Sequence, residues 1–352
     1  MNIPEPSISV VSLIDKHYEN NAEPPRPHMG CSLLGDPCER WLWLSFRWAV
    51  VPSFTGRMLR LFQRGKDEEE KIISNLRAIG CHVTTTNKNR TQIRVDFGKH
   101  VSGSLDGIIE SGIPEAPKAR HVFEAKTHSL KSFKDLEKNG VEKSKPEHFI
   151  QMQAYMHGTS IERALYYAVC KDNDHIYTER VHYNKEAAEK AIERGQRLAL
   201  TERMPPPIST DSTWYQCKLC SGYEFCHDFQ LTKQVNCRTC AHSTPKENST
   251  WRCELCDSDD IPVEFQRTGC ESHVLHPDLV PWKLDQEAST EKEAVWIIDG
   301  KSIRNGAPDA NCFASKELIA NLPACLENEP VVKELRVTAD ARIIYSEDDI
   351  PF

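Results

Sequence analysis

The spacing of hydrophobic positions changes from helical to strand-like along the first 200 residues. Residues 58–79 carry apolar side chains three and four positions apart and end before Gly80, which predicts an amphipathic helix. Short apolar runs predict strands at residues 81–86, 91–97, 100–109, 120–127, 163–171 and 175–183. Further helices are predicted near 148–158 and at 185–200, and the basic stretch 131–145 is predicted as a loop. This order of elements predicts an α/β core.

The flanking segments have other patterns. Residues 1–28 are polar and proline-bearing, which predicts a flexible lead-in, and a helix is expected to start near Pro37. After three prolines at 205–207, residues 211–273 hold too few apolar positions for an ordinary core, so bound metal is expected to organise them. Strand-like runs return at 294–299, 334–339 and 341–345.

These patterns predict five segments. They are a lead-in at 1–28, a core at 29–230, a zinc-ribbon-like module at 231–282, a small C-terminal α+β region at 283–345 and an acidic tip at 346–352.

Composition excludes several classes of protein. The chain has 352 residues, room for about two domains, with 39% hydrophobic and 27% charged residues, the balance of a globular protein. No run approaches the roughly 18 apolar residues of a membrane-spanning helix. The N-terminus lacks a basic start followed by an apolar stretch, so no secretory signal is expected and a cytoplasmic location is predicted.

The net charge of −8 conceals an uneven distribution. Residues 254–352 hold 21 acidic and 9 basic residues, whereas the rest of the chain holds 31 acidic and 35 basic residues. A mildly basic body therefore carries an acidic C-terminal third, and the overall charge does not exclude a nucleic-acid partner.

Three residues form a candidate hydrolytic site. Side chains alternate along a strand, so Glu124 and Lys126 are expected on one face of it, and Asp106 follows another strand-like run. Such carboxylates can hold a divalent ion that activates water, and an ammonium group can stabilise charge on phosphate. Each motif alone also fits an ordinary role, because Glu124 and Lys126 could pair at a surface and Asp106 could begin a turn at Gly107.

A third carboxylate is expected from the helix at 58–79, which contains Glu68, Glu69 and Glu70. At 100° per residue, Glu69 lies near the centre of the apolar face, Glu68 at its edge and Glu70 away from it. A glutamate on a buried face needs a partner, and a metal site would supply one. Further along, Gln151 and Tyr155 share one helix face, and His148, one turn earlier, is interpreted as structural.

The order of these motifs resembles the RecB-like branch of the PD-(D/E)XK nuclease superfamily. The matches are Glu69, the run from Gly103 to Asp106, the run from Glu124 to Lys126, and the pair Gln151 and Tyr155. Gly65, four residues before Glu69, resembles the G-x-x-x-E of viral and phage recombination exonucleases. Many members have histidine after that glycine, where this chain has Lys66.

The resemblance implies a PD-(D/E)XK restriction-endonuclease-like core and a metal-dependent DNA exonuclease. It assigns Mg²⁺ or Mn²⁺ binding to Glu69, Asp106, Glu124 and the carbonyl of Ala125. It makes Lys126 the catalytic lysine and gives Gln151 and Tyr155 the task of positioning DNA or the active-site shell. Candidate DNA contacts, chosen only for charge and position, are Lys66, Lys131, Lys134, Lys143 and Lys145.

Eight of the fourteen cysteines lie between 217 and 270. Cys217, Cys220 and Cys226 offer three thiolates, and zinc or an iron–sulfur cluster needs a fourth ligand. We expect Cys38 to be the fourth ligand, with Cys31 as the alternative. An early cysteine with a late C-x2-C-x5-C resembles the iron–sulfur subgroup of these nucleases, which includes AddB-type subunits and CRISPR-adaptation nucleases. That favours a 4Fe–4S cluster, although the spacing alone fits zinc or free buried thiols equally.

A second cysteine group follows the first. Two C-x-x-C pairs, which start at Cys237 and Cys253, predict a structural zinc ribbon. The expected ligands are Cys237, Cys240, Cys253 and Cys270, with Cys256 or His273 as a substitute. The isolated cysteines are interpreted as core residues; they are Cys81, Cys170, Cys312 and Cys325.

The chain ends in an acidic tip that resembles the tails of bacterial single-stranded-DNA-binding proteins. The matching residues are Asp348, Asp349, Ile350, Pro351 and Phe352. Capture of such a tip by host proteins that bind those tails is one expectation. A frayed solubilising tail and a tail that covers the DNA channel are the alternatives.

Together these features predict a phage-type exonuclease that resects linear DNA ends for recombination or repair, with an annealing recombinase as a candidate partner. A non-catalytic DNA-binding or recruitment module that uses the ribbon and the tip is the alternative. A CRISPR-adaptation-type end trimmer fits less well, because the chain continues beyond residue 230.

Overall fold

The computed structural model describes residues 9–327, 330–339 and 341–342. The chain forms two compact units. The first combines the chain up to Asp36 with Pro52–Arg197, and the second combines Pro37–Val51 with the chain from Leu198 onward. The predicted docking residues at 348–352 lie outside the described residues.

The helices are α1 (Val10–Asn20), α2 (Glu39–Phe46), α3 (Gly56–Ala78), α4 (Leu130–Ser144), α5 (Pro146–Thr159), α6 (Lys185–Leu200), α7 (Tyr215–Lys218), α8 (Val263–Thr268), α9 (Ser315–Ala320), α10 (Leu322–Glu327) and α11 (Pro330–Thr338). The strands are β1 (Met29–Gly30), β2 (His82–Thr84), β3 (Arg94–Asp96), β4 (Val101–Ser104), β5 (Gly107–Ser111), β6 (His121–His128), β7 (Arg163–Cys170), β8 (Ile176–His182), β9 (Ser243–Pro245), β10 (Trp251–Cys253), β11 (Lys283–Leu284), β12 (Ala294–Ile298), β13 (Lys301–Asn305) and β14 (Cys312–Phe313).

The first unit is built on a sheet with the strand order β2-β5-β6-β7-β8. β6 and β7 are parallel, so the chain must cross over between them, and α4 and α5 form that crossover. On the opposite face, α3 buries its apolar stripe against alternate residues of β6 and β7. This core contains Ile72, Ile73, Leu76, Phe123, Leu165 and Tyr167.

A smaller sheet, β1-β4-β3, brings β4 against α5. A side chain at Gly103 would place its Cβ 2.6 Å from Sγ of Cys31 and 2.8 Å from Cε1 of Tyr155. Only glycine therefore allows β4 to approach α5 this closely. The approach lets the Tyr155 hydroxyl donate a 2.7 Å hydrogen bond to the carbonyl of Ser104, just before Asp106.

Two buried arginines and several aromatic rings hold α2 to the rest of the second unit. The guanidinium carbon of Arg238 lies 3.8 Å from the ring centroid of Trp48 and 4.9 Å from that of Trp251. Arg238 also donates a 2.8 Å hydrogen bond from Nη1 to the carbonyl of Phe46. Arg47 lies 4.8 Å from the ring of Trp43. Cation–π stacking and hydrogen bonds stabilise these buried arginines, whereas carboxylates stabilise most buried arginines.

The second unit also contains a sheet of order β11-β12-β13-β14 packed with α9 and α10. A buried ion pair between Glu317 and Arg336 attaches α11 to this region. The predicted mixture of helices and strands at the C-terminal end is therefore confirmed for the described residues.

Most predicted elements of the first unit are confirmed, and the structure corrects three predictions across the two units. Residues 131–145, predicted as a loop, belong largely to α4, because Phe133, Leu136 and Val141 bury one face while the lysines stay outside. Residues 334–339, predicted as a strand, lie mainly in α11, whose only buried described side chain is that of Arg336. A helix, α1, also lies within the predicted lead-in, and Ser9 and Ser12 cap it reciprocally.

Among the described residues, no helix combines the length and the apolar character needed to cross a membrane.

Candidate active site

β6 presents Glu124 and Lys126 on the sheet face that α4 and α5 cover. Lys126 forms an ion pair with Oε1 of Glu124, and its Nζ lies 3.2 Å from the carbonyl oxygen of Ala125. The Glu124 side chain is fully buried, whereas 25% of the Lys126 side chain is exposed. The second carboxylate oxygen of Glu124, Oε2, is buried without a hydrogen-bond partner in the described part of the chain. A buried anionic oxygen without a donor is costly, and such an atom commonly marks a ligand position.

Asp106 lies in the short connection between β4 and β5 and reaches across to β6. Its Oδ2 accepts a 2.9 Å hydrogen bond from the backbone N–H of Ala125. The bond fixes the Asp106 carboxylate beside the residue that separates Glu124 from Lys126. The structure thus brings the two predicted motifs together, and Asp106 does more than begin the turn at Gly107.

α3 supplies Glu69 from the other side. Glu69 is half-buried, and its charge interacts with those of Asp106 and Lys126. Glu68 instead pairs with Lys71 at 3.3 Å on the same helix, and Glu70 is exposed. The helix position expected from the apolar stripe is therefore the one that faces the other carboxylates.

The carboxylates outnumber the cations in this site, and the pKa values of Glu69 and Glu124 are raised. Burial, followed by repulsion from Asp106, raises the pKa of Glu69 to about 7. Burial raises the pKa of Glu124 to about 8, against the opposing effect of Lys126. Burial alone would lower the pKa of Lys126, but Glu124, Asp106 and Glu69 raise it overall, so Lys126 stays an ammonium ion. A further cation would relieve the remaining repulsion.

The oxygen donors of this site have the chemistry that a divalent cation requires, although they are not arranged as a complete metal site. Within the described residues, no three His, Cys, Asp or Glu side chains stand in a ready metal-binding arrangement. The chemistry nevertheless fits Mg²⁺ or Mn²⁺, because the unpartnered atom is a carboxylate oxygen and its neighbours are carboxylates and a backbone carbonyl. Glu69, Asp106, Glu124 and the carbonyl of Ala125 are the groups that could hold such an ion.

Gln151 and Tyr155 form a buried support behind the carboxylates. Gln151 donates from Nε2 to the hydroxyl of Tyr155 at 3.2 Å, and that hydroxyl in turn holds the carbonyl of Ser104. Gln151 is 7% exposed and Tyr155 3%. These contacts place both residues in the shell that fixes Asp106, and a direct role in positioning DNA stays a prediction.

The raised pKa of Glu69 predicts a pH-dependent stability difference between Glu69→Gln and the unchanged chain without divalent cations. A carboxyl whose folded pKa is raised stabilises the protein below its unfolded pKa of about 4.5, and this contribution is lost as the pH rises through about 7. Glu69→Gln removes the effect, so its stability relative to the unchanged chain should increase by about 1 to 2 kcal/mol over that interval, after allowance for partial exposure. Urea unfolding at pH 4.5 and 8 in EDTA measures this, with Glu70→Gln as the matched control. A pH-independent difference would contradict the prediction.

The predicted DNA-contact lysines differ in their surroundings. Lys66 pairs with Glu23, and Lys145 lies 3.7 Å from Asp135. The other three are exposed on α4; they are Lys131, Lys134 and Lys143. Their contact with DNA stays a prediction.

The first cysteine group belongs to the second unit. Burial raises the pKa values of Cys217 and Cys226, and the nearby thiol of Cys38 raises both further, so these three sulfurs approach one another. Cys220 follows Cys217 in a tight turn in which its N–H donates to the Cys217 carbonyl at 3.0 Å. The rival ligand, Cys31, is buried in the first unit against β4 and α5. The choice of Cys38 over Cys31 as the fourth ligand of the group stays a prediction.

The second cysteine group surrounds the hairpin of β9 and β10. The pKa of Cys237 rises to about 11, first through burial and then through Cys270, Cys253 and Cys256. Burial raises the pKa of Cys240 to about 12, and its sulfur lies beside Cys270 and Cys237 and accepts backbone N–H groups. Five cysteines therefore lie near one another, and their choice as zinc ligands stays a prediction.

His273 is a poor substitute ligand. Its Nδ1 lies 2.8 Å from Oγ of Ser315, and its Nε2 lies 3.0 Å from the carbonyl of Asn236 and 3.1 Å from Oγ1 of Thr239. Both ring nitrogens are thus occupied, and metal binding would break one of these buried contacts.

Two buried polar residues beside Lys126, His128 and Tyr166, were not predicted from the sequence, whereas His148 was interpreted as structural. His128, Tyr166 and His148 are joined by hydrogen bonds on the same face of the sheet as Lys126. The position of His128 two residues after Lys126 was an available signal, because alternate residues of a strand share a face.

Comparison with known proteins gives weak structural likenesses. No protein-family model matches the chain, and no curated protein matches it significantly. The chain is similar to SSO0001 (15% identity, TM-score 0.35, 62% of this chain and 95% of that one). It is also similar to an alkaline exonuclease, LHK-Exo, from Laribacter hongkongensis (14% identity, TM-score 0.32, 52% of this chain and 90% of that one) and to LHK-Exo in complex with dAMP (14%, 0.35, the same coverage). TM-scores below 0.5 do not define a shared fold, so these likenesses do not assign a function to the chain.

Proposed function

We propose that this chain is a metal-dependent DNA exonuclease that hydrolyses phosphodiester bonds at DNA ends. The observation that carries the proposal is the buried, unpartnered Oε2 of Glu124 beside Lys126 and two further carboxylates. A purely structural ion pair would not need Glu69 and Asp106 near an oxygen for which the described residues supply no donor. Hydrolysis of a phosphodiester needs this combination of anionic ligands and one retained ammonium group.

Each residue has a distinct task in this proposal. Glu69, Asp106, Glu124 and the carbonyl of Ala125 would hold Mg²⁺ or Mn²⁺. When bound, the ion would activate water and offset negative charge on the phosphate. Lys126 would hold the attacking water or a phosphate oxygen through its ammonium group, which the surrounding carboxylates keep protonated. Gln151 and Tyr155 would hold the strand that carries Asp106.

The cysteine groups complete the proposal. Cys38, Cys217, Cys220 and Cys226 would bind a 4Fe–4S cluster, and Cys237, Cys240, Cys253 and Cys270 would bind structural Zn²⁺. We propose that the enzyme resects linear DNA ends for recombination or repair, with an annealing recombinase as a candidate partner. Host proteins that bind single-stranded-DNA-binding-protein tails are the candidate partners of residues 348–352.

Digestion of end-labelled linear duplex tests the activity. Protein purified without oxygen should shorten the duplex progressively with Mg²⁺ or Mn²⁺, should stop in EDTA, and should leave covalently closed circular DNA intact. Binding of linear DNA without cleavage in any metal would instead support a non-catalytic DNA-binding module. Cutting of the closed circle would replace the exonuclease by an endonuclease.

A pair of adjacent variants tests the assignment of the helical carboxylate. Glu69→Gln should lower cleavage by about 100-fold or more, because it removes a negative charge that faces Asp106 and Lys126. Glu70→Gln makes the same chemical change on the exposed face of α3 and should stay within about twofold. Single-turnover rates on the linear duplex measure both. Equal loss in the two variants would remove Glu69 from the site.

A further inference from the structure

A continuous series of hydrogen-bonded polar side chains lies beside Lys126, between the main sheet and the helices α4 and α5. The hydroxyl of Tyr166, in β7, lies 2.8 Å from Nε2 of His128 and 2.8 Å from Nδ1 of His148. The other ring nitrogen of His128, Nδ1, lies 3.1 Å from Oγ of Ser132. Ser132, His128, Tyr166 and His148 are therefore joined in series by three hydrogen bonds.

This series of hydrogen-bonded side chains is buried in its middle and partly exposed at its two ends. Tyr166 is fully buried and His128 is 6% exposed, whereas Ser132 and His148 are both half-buried. Nε2 of His148 has no hydrogen-bond partner among the described residues and is not one of the buried unpartnered atoms. The series thus begins at one half-buried side chain, passes through two buried residues, and ends at a ring nitrogen that the described residues leave without a hydrogen-bond partner.

The His148 end of the series lies next to the candidate active site. Tyr166 is the strand neighbour of Glu124 in the parallel pairing of β6 and β7, and the two side chains share one face of the sheet. His128 follows Lys126 on that face at the next alternate position. His148 lies on α5 one turn before Gln151, which belongs to the shell around the carboxylates.

Both imidazole rings are neutral near pH 7. Burial, followed by Lys126, His128 and Lys145, lowers the pKa of His148 to about 3. Burial, followed by Lys145, Lys126 and Lys171, lowers the pKa of His128 to about 4. A neutral imidazole has one N–H donor and one acceptor nitrogen, and a tyrosine hydroxyl both donates and accepts. The series can therefore adopt two opposite directions of hydrogen bonding with the same net charge.

We propose that the series Ser132–His128–Tyr166–His148 is a proton relay that protonates the leaving oxygen of the cleaved phosphodiester through Nε2 of His148. This role rests on the proposed nuclease function and adds to it a general acid and a route to solvent. His148 is the residue that touches the substrate. Tyr166 and His128 act through His148 and are positioning residues.

The proton transfers balance along the series. At the start, Nε2 of His148 carries a proton, and the Tyr166 hydroxyl donates to Nδ1 of His148. As the P–O bond breaks, its electron pair stays on the leaving oxygen, which takes the Nε2 proton. The Tyr166 proton moves to His148, the Nε2 proton of His128 moves to Tyr166, the Ser132 proton moves to Nδ1 of His128, and solvent returns a proton to Ser132. Reverse transfer, from water at Nε2 outward to solvent at Ser132, restores the first direction.

A pair of DNA substrates tests the relay. One has ordinary linkages, and the other has a bridging sulfur in place of the leaving oxygen, because a thiolate leaves without needing a proton. Tyr166→Phe keeps the buried ring and removes only the hydroxyl in the middle of the series. It should slow single-turnover cleavage of the ordinary linkage by about 100-fold, within the range of general acid catalysis. It should leave cleavage of the sulfur linkage within about threefold of the unchanged chain.

The matched control is Tyr167→Phe. Tyr167 is the next residue in β7, is also nearly buried, and faces the α3 side of the sheet, away from the series. Tyr167→Phe also loses one hydroxyl oxygen, and it should leave the cleavage rates of both linkages within about twofold of those of the unchanged chain. Equal slowing of both linkages by Tyr166→Phe would overturn the relay and make the series structural. Unchanged cleavage of the ordinary linkage would also overturn it while the nuclease function stands, whereas an inactive unchanged chain would overturn the nuclease function and the relay together.

A second variant keeps the relay falsifiable if Tyr166→Phe unfolds. His148→Ala removes the imidazole at one half-buried end of the series. Added imidazole should raise the cleavage rate of this variant at least tenfold on the ordinary linkage and should leave its rate on the sulfur linkage unchanged. Failure of imidazole to rescue a folded His148→Ala protein would remove His148 as the proton donor.

Discussion

Replacement of Lys126 with alanine is expected to reduce DNA cleavage by about 1,000-fold or more. Lys126 supplies the ammonium group of the site, and three carboxylates keep it protonated. Removal of one group that stabilises charge in a phosphoryl transition state typically costs a factor of 100 to 1,000, about 3 to 4 kcal/mol, and in the described part of the chain no second lysine pairs with Glu124. Single-turnover digestion of end-labelled duplex with Mg²⁺ measures the loss, and a filter-binding assay measures DNA affinity on the same samples.

The control for this prediction separates chemistry from folding. Loss of Lys126 leaves Glu124 buried without its ion-pair partner, which could destabilise the protein. Lys126→Met retains most of the side-chain volume, so its melting temperature should lie close to that of the unchanged chain when Glu124 takes up a proton. Lys118→Ala, on an exposed residue just before β6, should leave cleavage unchanged. Retention of more than a tenth of the activity in a folded Lys126 variant would contradict a catalytic role.

The sequence was most informative where local periodicity and chemistry coincide. The apolar stripe of α3 predicted both the helix and the glutamate that faces the site, because the stripe and Glu69 share one helix face. Alternation along β6 likewise placed Glu124 and Lys126 on one face. Neither inference needed long-range contacts, and both concern residues within one element.

The sequence failed where tertiary contacts decide the outcome. The lysine-rich surface of α4 obscured three buried apolar positions, so the stretch was predicted as a loop. Residues 334–339 were predicted as a strand from their β-branched residues, whereas Arg336 attaches them as a helix through Glu317. The link between Tyr166 and His148 spans different elements, and neither residue carries a local signature of the contact.

The grouping of the chain into two units also depends on long-range contacts. The segment Pro37–Val51 belongs with residues far along the chain, through buried arginines and aromatic rings rather than through a local pattern. That grouping has a consequence for the cysteines, because it places Cys38 in the same unit as Cys217 and Cys226. A ligand from this short segment would connect it covalently, through metal, to the rest of the second unit.

If the proposed 4Fe–4S cluster is bound, replacement of Cys38 with serine is expected to remove it and to destabilise the second unit by about several kcal/mol. The thiol lies near Cys217 and Cys226, and a metal link between distant segments restricts the unfolded chain while its binding energy contributes to folding. Protein prepared without oxygen should contain about four iron atoms per chain and should absorb visible light, and Cys38→Ser should lose both properties. Iron analysis, visible spectra and thermal unfolding on matched samples measure the effect.

Cys31→Ser is the decisive comparison for the cysteine assignment, because Cys31 is the rival ligand. Its thiol is buried in the first unit beside Gly103 and Tyr155, so serine there should weaken packing near the carboxylates and leave iron and colour intact. Loss of iron in Cys31→Ser with retention in Cys38→Ser would reverse the assignment. Stoichiometric zinc and no iron in the unchanged chain would replace the cluster by a zinc site, and Cys38→Ser should then lose that zinc. A metal-free chain that is equally stable with and without Cys38 would reduce the first cysteine group to ordinary buried thiols.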